Sequence, residues 1–280
     1  ETRTENLDPF KRMIAEMTPE RCSELTTIPI ETLEVAAHLY ASVDSAMSVH
    51  GLGMTEHSHG SEGVMALASL ALLTGNVGRP GTGINPLRGQ NNVQGSCDMG
   101  ALPNVYTNYQ STEDLEQQEK VSSAWGVDVP TEPGMTYPKM LHAIKEGKVR
   151  SMYMIGSDIA HTDPNNEHVK EALGQLELLI VQDIFMTESA KLAHVILPAA
   201  TFLESNGTYT NGERRIQRIR KALEPPGQAK EDWLIVAELA EAMGHPIISS
   251  RDASDVWDEM AALTPNFIGI NYERLESPEA

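Results

Sequence analysis

Cysteine is scarce in this chain: two residues, Cys22 and Cys97, among 280. Neither lies in a CxxC pair, so the chain alone builds no thiolate-rich zinc or iron–sulfur site. One disulfide between them is possible but nothing favours it, and a reducing cytoplasm is the default compartment. Basic residues are also few, 21 against 40 acidic, for a net charge of -19. Such a surface repels phosphates, which argues against nucleic acid as a partner, and it disfavours an anionic membrane surface. Long apolar runs are missing: the longest, residues 64–73, falls far short of the roughly 20 residues a membrane span needs, so no direct membrane insertion is expected. GxSxG, HExxH and a Walker loop are absent, which removes the commonest hydrolase and NTPase readings. The opening ETRTENLDPF carries no signal peptide, twin-arginine leader or initiator methionine, and the expectation is a segment of a longer polypeptide.

What is present reads as α/β. At 280 residues with 40% hydrophobic content, the chain can hold one large or two ordinary domains with a sizeable core. Residues 9–22 and 30–41 read as helices and 46–50 as a short strand. The turn GLGMTEHSHGSEG follows, then a helix over 61–73 with apolar residues on most sides, which predicts burial. Gly75 and Pro80 stop that helix. Strand, glycine-bearing turn and helix is the order of a ligand-binding α/β unit, although Gly51-x-Gly53 lacks the third glycine of a dinucleotide fingerprint. Residues 101–135 read as an irregular polar excursion.

Further along, 137–146 is helical, 149–155 a strand ending in GSD, 168–173 a helix, and 176–181 an apolar strand ending in QD. That spells a βαβ crossover with parallel strands, and 194–197 is another short strand. Helices close the chain over 231–243 and 254–263, with Trp233, Leu234, Val236, Leu239, Trp257 and Met260 expected to face the core. The fold class is thus α/β with parallel-sheet, Rossmann-like three-layer units. The expected organisation is an α/β unit over 1–100, the excursion over 101–135, and a second α/β unit over 136–280.

The densest chemistry lies in residues 81–100, GTGINPLRGQNNVQGSCDMG: five glycines, three asparagines and two glutamines around one strong cation, Arg88. Glycine lets backbone approach a ligand. Carboxamides offer donor and acceptor faces to heterocycle edges, and arginine supplies a planar fork for a carboxylate or phosphate. Ligands of parallel sheets sit outside the carboxyl ends of the strands. Gly156, Ser157 and Asp158 end one expected strand, and Gln182 and Asp183 end the next. The alternative for Asp158 and Asp183 is that they cap turns or helices. Arg214, Arg215, Arg218 and Arg220 form a local basic cluster that could meet phosphates, with surface ion pairing the alternative. His57 and His59 have the wrong spacing for a helical zinc pair.

Taken together, GLGMTEHSHG, ALLTGNVGRPGTGINPLRGQNNVQGSCDMGALP, MIGSD, VQDIFMTESAKLAHVILPA and TNGERRIQR resemble the catalytic alpha subunit of formate dehydrogenase, in the molybdopterin (dimethyl sulfoxide reductase) oxidoreductase superfamily. The resemblance runs through most of the chain and is that of a central fragment. It implies two-electron oxidation of formate to carbon dioxide at molybdenum or tungsten held by bis(molybdopterin guanine dinucleotide). It also implies a 4Fe-4S cluster elsewhere in the full subunit, electron-transfer subunits as partners, and inactivity of this fragment alone. Arg88 corresponds to the formate-orienting arginine, with Gln90 near the same pocket. Leu52, Gly53, Glu56, Arg88, Gly156, Ser157, Asp158, Gln182, Asp183 and Thr187 match cofactor-binding positions, and Arg214 and Arg215 would lie near cofactor or domain contacts. Cys22 precedes Ser23 and Cys97 precedes Asp98, whereas the family's metal-ligating residue precedes a histidine, so no metal ligand is expected here. A nitrate reductase-like oxidoreductase and a cofactor-free structural homologue in a respiratory complex stand as alternatives.

Overall fold

The computed structural model describes residues 5–247 and 252–277; the extreme ends of the expected terminal units, 1–4 and 278–280, lie outside the described residues. The chain divides into two compact units, Glu1–Gly89 and Gln90–Ala280. In the first, helices α1 (Leu7–Ala15), α2 (Pro19–Thr26) and α3 (Ile30–Ser42) lead into strand β1 (Met47–His50). Then come a short helix α4 (Leu52–Thr55), helix α5 (Gly60–Leu73) and strand β2 (Gly83–Pro86). β1 and β2 pair in parallel, with Met47 opposite Gly83 and His50 opposite Pro86.

Two expectations change here. The single helix over 9–22 is two helices, because Thr18 is extended before Pro19, with ψ 159°, and a residue before proline avoids the helical region. Thr18 instead caps the second helix through the Arg21 amide. Helix α5 is not buried within its unit: Met65, Leu72 and Leu73 are 60%, 52% and 59% exposed. Strand β2 lies inside the glycine-rich block, where its turn residues masked it. What holds this pair together is polar. Buried Asn76 accepts from the Ala46 amide at 2.9 Å, and Arg79 reaches the Asp44 and Gly75 carbonyls, tying the loop after α5 to the entrance of β1.

The second unit begins with helix α6 (Val93–Asp98) and helix α7 (Leu115–Trp125). α7 lies inside the stretch expected to be irregular. Asp114 caps it by accepting from the Glu116 amide, and Gly126 in the left-handed region ends it. Its polar surface buries only Gln118 and Val121, so hydrophobic periodicity could not reveal it. Next come α8 (Tyr137–Lys145), β3 (Ser151–Ile155), α9 (Ile159–Thr162), α10 (Asn166–Leu173), β4 (Leu178–Asp183) and β5 (Val195–Pro198). They form a parallel sheet of order β3-β4-β5. Leu141, Ile144, Val169, Leu173, Leu179 and Val181 pack as its core, the βαβ arrangement expected from sequence.

An antiparallel hairpin of β6 (Gly207–Thr210) and β7 (Ile216–Ile219) follows, then helices α11 (Asp232–Ala242), α12 (Ala253–Leu263) and α13 (Tyr272–Glu276). A second cluster gathers Trp257, Ala261 and Phe267 with Ile216 and Tyr272. In α11 the buried apolar residue is Ile235; Trp233, Leu234, Val236 and Leu239 are half-buried.

Candidate functional site

In the first unit the strand ends bring two predicted groups together. The Leu87 amide donates to the His50 carbonyl at 2.7 Å, extending the β1–β2 pairing to the residue before Arg88. Leu52 covers the other flank of that loop, since a Cβ built on Gly89 would stand 3.1 Å from Leu52 Cδ1. Arg88 therefore leaves the carboxyl end of the same parallel pair that carries Leu52, Gly53 and Glu56. His57 Nε2 lies 2.7 Å from the Gly53 carbonyl, closing the turn, and Gly53 faces open space, with nothing within 4 Å of a built Cβ. Arg88, Leu52, Gly53 and Glu56 are exposed. His59 is an exposed partner of Glu62.

One residue here escaped the sequence reading. His50 ends β1, and its Nδ1 is buried with no hydrogen-bond partner in the structure. A buried polar atom without a partner is uncommon, and only the strand assignment hinted at its position. Gln90 opens the second unit, exposed, two residues beyond Arg88.

In the second unit the strand ends of β3 and β4 meet as expected of parallel neighbours. The Gly156 amide donates to the Gln182 carbonyl at 2.9 Å, and Gly156 takes φ +59°, a conformation glycine adopts at little cost. The Asp158 carboxylate accepts from the Ser189 amide and hydroxyl, both at 2.8 Å, and from the Glu188 amide at 3.3 Å. The side chain thus buckles the 184–189 loop onto the end of β3. Thr187 Oγ1 accepts from the Ala190 amide, and Asp183 Oδ1 accepts from the Phe185 amide. Ser157 is half-buried beside them. Between these polar groups Ile184, Phe185 and Met186 present an apolar lip, 46%, 72% and 62% exposed.

Burial opposes ionisation of Asp158, but the three hydrogen bonds outweigh it and, with nearby His161, hold the carboxyl below the usual aspartate value of 3.8. A lowered folded pKa contributes stability above the unfolded pKa, and that contribution is lost as pH falls through the folded value. Protection of the Ser189 amide, measured against its intrinsic exchange rate at the same pH, is therefore expected to fall as pH drops through that lowered value. Asp158→Ala, which removes the acceptor, should abolish that protection at all pH values, and protection in that variant equal to the parent's would contradict the buckle.

Gln182 sits differently from a ligand-facing residue. Its side chain is fully buried, accepts from the Tyr153 hydroxyl, and donates from Nε2 to Asp232 Oδ1 at 2.5 Å. Only its backbone lies at the strand edge. Gln182→Leu removes the acceptor of the half-buried Tyr153 hydroxyl and should cost about 0.5–1.5 kcal/mol, measurable by denaturant unfolding.

The basic cluster resolves into ion pairs. Arg218 and Arg220 both pair with Glu276, and Arg218 stacks over the Tyr272 ring at 3.8 Å. Arg214 lies 3.6 Å from buried Asp98. Arg215 is exposed, its amide donating to Asn211 Oδ1. Both cysteines are free. Among the described residues, no group of three or more His, Cys, Asp and Glu side chains could hold a metal ion, and no helix is long and apolar enough to cross a membrane.

Comparison with known proteins gives this geometry a lineage. The chain is 48% identical over 275 residues to the F420-dependent formate dehydrogenase 2 subunit alpha of Methanococcus maripaludis, covering 98% of this chain and 40% of that protein. It is 42% identical to formate dehydrogenase H of Escherichia coli, with 98% of this chain and 38% of the relative covered. It therefore spans about two-fifths of the length of these two relatives. Among solved structures, acetylene hydratase from Pelobacter acetylenicus aligns at TM-score 0.67 and 18% identity, over 96% of this chain and 39% of that one, a likeness of fold. Residues 12–242 match the model of the molybdopterin oxidoreductase family. The chain belongs to the molybdopterin oxidoreductase family.

Proposed function

We propose that this chain is the central α/β part of the catalytic alpha subunit of a molybdenum- or tungsten-dependent formate dehydrogenase. The observation that carries the reading is the adjacency, at the carboxyl end of one parallel pair, of the open turn Leu52–Gly53–Glu56 and the Arg88 loop. Parallel sheets bind ligands at that edge.

The residues present fit a pterin cofactor. Gly53 offers a backbone face without obstruction, and His50 at the end of the same strand has a buried Nδ1 without a partner. At the second edge Gly156, Ser157, Asp183, Thr187 and the apolar lip Ile184–Phe185–Met186 offer polar groups beside a surface for a flat ring. Asp158 and Gln182 would act there through backbone and loop shape, since their side chains are engaged internally. In this reading the cofactor is of the guanine dinucleotide form, with the metal ligand and the 4Fe-4S cluster supplied by residues outside this sequence. When bound, the metal–pterin centre takes up the two electrons that leave formate.

The part played by this chain is recognition and orientation. Formate is a one-carbon anion, and the Arg88 guanidinium offers two parallel N–H donors to its two oxygens. Held that way, the C–H bond points away from the arginine, and the orientation does not have to be found in each encounter. Gln90 adds an uncharged donor and acceptor two residues on. Product carbon dioxide carries no charge, so the same guanidinium releases it readily. Electron-transfer subunits, a cytoplasmic location in keeping with two free thiols, and inactivity of this chain by itself complete the proposal.

The test is a dye-linked assay of the full-length polypeptide carrying this sequence, with formate and nitrate as competing substrates, alongside elemental analysis for molybdenum and tungsten. Formate oxidation with one of the two metals bound supports the reading. Nitrate turnover without formate oxidation, or a metal-free protein, overturns it.

A further inference from the structure

Six described non-glycine residues take positive φ; Asn6 and Thr27 sit at helix ends in the first unit, and the other four gather at one place. Asn92, Asn108, Tyr109 and Arg214 take φ of 58°, 52°, 62° and 63°, a region that L residues adopt rarely. All four converge on helix α6. Asn92 precedes it, and its side chain does not cap the helix: Oδ1 accepts instead from the Thr210 amide of β6 at 3.0 Å. Thr210 is 5% exposed, so this is an indoor bond between a hairpin strand and the loop that continues from Arg88. The clasp leaves no room beside it. A Cβ on buried Gly95 would stand 2.1 Å from Asn92 Oδ1 and 2.9 Å from its Cγ, so the glycine at 95 is required by the asparagine at 92.

One turn on, the same helix carries a buried carboxylate. Asp98 is 3% exposed; it accepts from Gln94 Nε2 at 2.8 Å and faces Arg214 at 3.6 Å. Arg214 comes from the tip of the β6–β7 hairpin and stacks over Tyr109, 5.5 Å to the ring centroid. Removing such a buried charge from water is costly unless a partner is supplied, and a strained hairpin tip supplies it here. Two separate devices, an amide–carboxamide clasp and an ion pair, thus lock one short helix to one hairpin. A six-residue helix has little stability of its own, so its orientation is set by these contacts.

We infer that Asn92 and the Asp98–Arg214 pair are positioning residues: the β6–β7 hairpin, through them, fixes the geometry of Gln90 and the loop running from it. The inference rests on the proposed role of that loop in binding formate. It gives the strained residues a purpose, because strain persists where surrounding structure over-determines it and clusters at working sites.

Asn92→Gly provides the test, since glycine keeps the positive φ and loses only the clasp. In the full-length polypeptide, amide exchange over residues 90–95 should accelerate at least tenfold while residues 151–183 keep their protection. Formate kcat/KM should fall about tenfold to a hundredfold, as expected when a reacting partner is displaced by about 1 Å, at unchanged metal content. Because the effect passes through Gln90, adding Asn92→Gly to a Gln90→Ala protein should cause no further loss, the non-additivity of coupled residues. Arg214→Ala should reproduce the pattern and Arg214→Lys restore part of it. Unchanged exchange over 90–95, or fully additive losses in the double variant, would overturn the inference. A parent protein that shows the clasp by exchange yet does not oxidise formate would overturn the functional reading and confine Asn92 to shaping the loop.

Discussion

Replacing Arg88 with alanine in the full-length polypeptide should lower formate kcat/KM by about 10²–10³-fold, the scale seen when one preorganised donor to a reacting charge is lost. The loss should fall on both constants. KM rises because a small anion loses its cation, and kcat falls because the remaining contacts no longer fix which way the C–H bond points. Arg88→Lys separates the two. A lysine keeps the charge but is a point donor without the planar fork, so KM should recover more than kcat does. Initial rates at matched metal content read this out. An Arg88→Ala protein with unchanged formate kinetics would remove the mechanism while leaving the family assignment intact.

Gly60→Ala should be the most damaging small substitution in the first unit. A Cβ there would meet the Thr55 carbonyl oxygen at 2.2 Å and its carbonyl carbon at 2.9 Å. Both are backbone atoms, so neither can swing aside as a side-chain tip would. The turn from Thr55 to Gly60 must move, and that turn carries Glu56 and His57. Overpacking of this kind costs about 1–3 kcal/mol, which in a unit the size of residues 1–89 lowers Tm by about 4–8 °C per kcal/mol. Gly53→Ala is the control. Nothing lies within 4 Å of its built Cβ, and alanine suits the short helix α4 better than glycine. Its melting temperature should hold or rise while cofactor loading falls, because the open face is where the pterin is proposed to lie. If both variants melt alike, the crowding at Gly60 is not what shapes the turn.

How much of this was legible beforehand depended on which force dominated each element. Strands β3 and β4 and helix α10 are written in apolar periodicity, and the expected βαβ unit is there. Strand β2 and helix α6 are written in glycine, asparagine and glutamine, which sequence reading takes for loop; β2 is held by its parallel pairing with β1, and Asn92 ties the start of α6 to Thr210. Side-chain direction was harder still. Gln182 reads as a strand-end ligand, but as the fifth residue of β4 its side chain points into the core and meets Tyr153 and Asp232. For Arg218 and Arg220 composition favours surface ion pairing over phosphate contact, and Glu276, more than fifty residues away, is the partner that sequence could not name. Asp158 illustrates the middle case: the sequence left capping and ligand roles open, and the carboxylate is occupied in buckling the 184–189 loop.

The most direct measurement is a structure of the full-length polypeptide with formate bound. The account predicts the anion on the Arg88 guanidinium, both oxygens engaged, with Gln90 beside it and the pterin against Gly53. Formate seated on another cation, with Arg88 committed to a carboxylate of the protein, would contradict it.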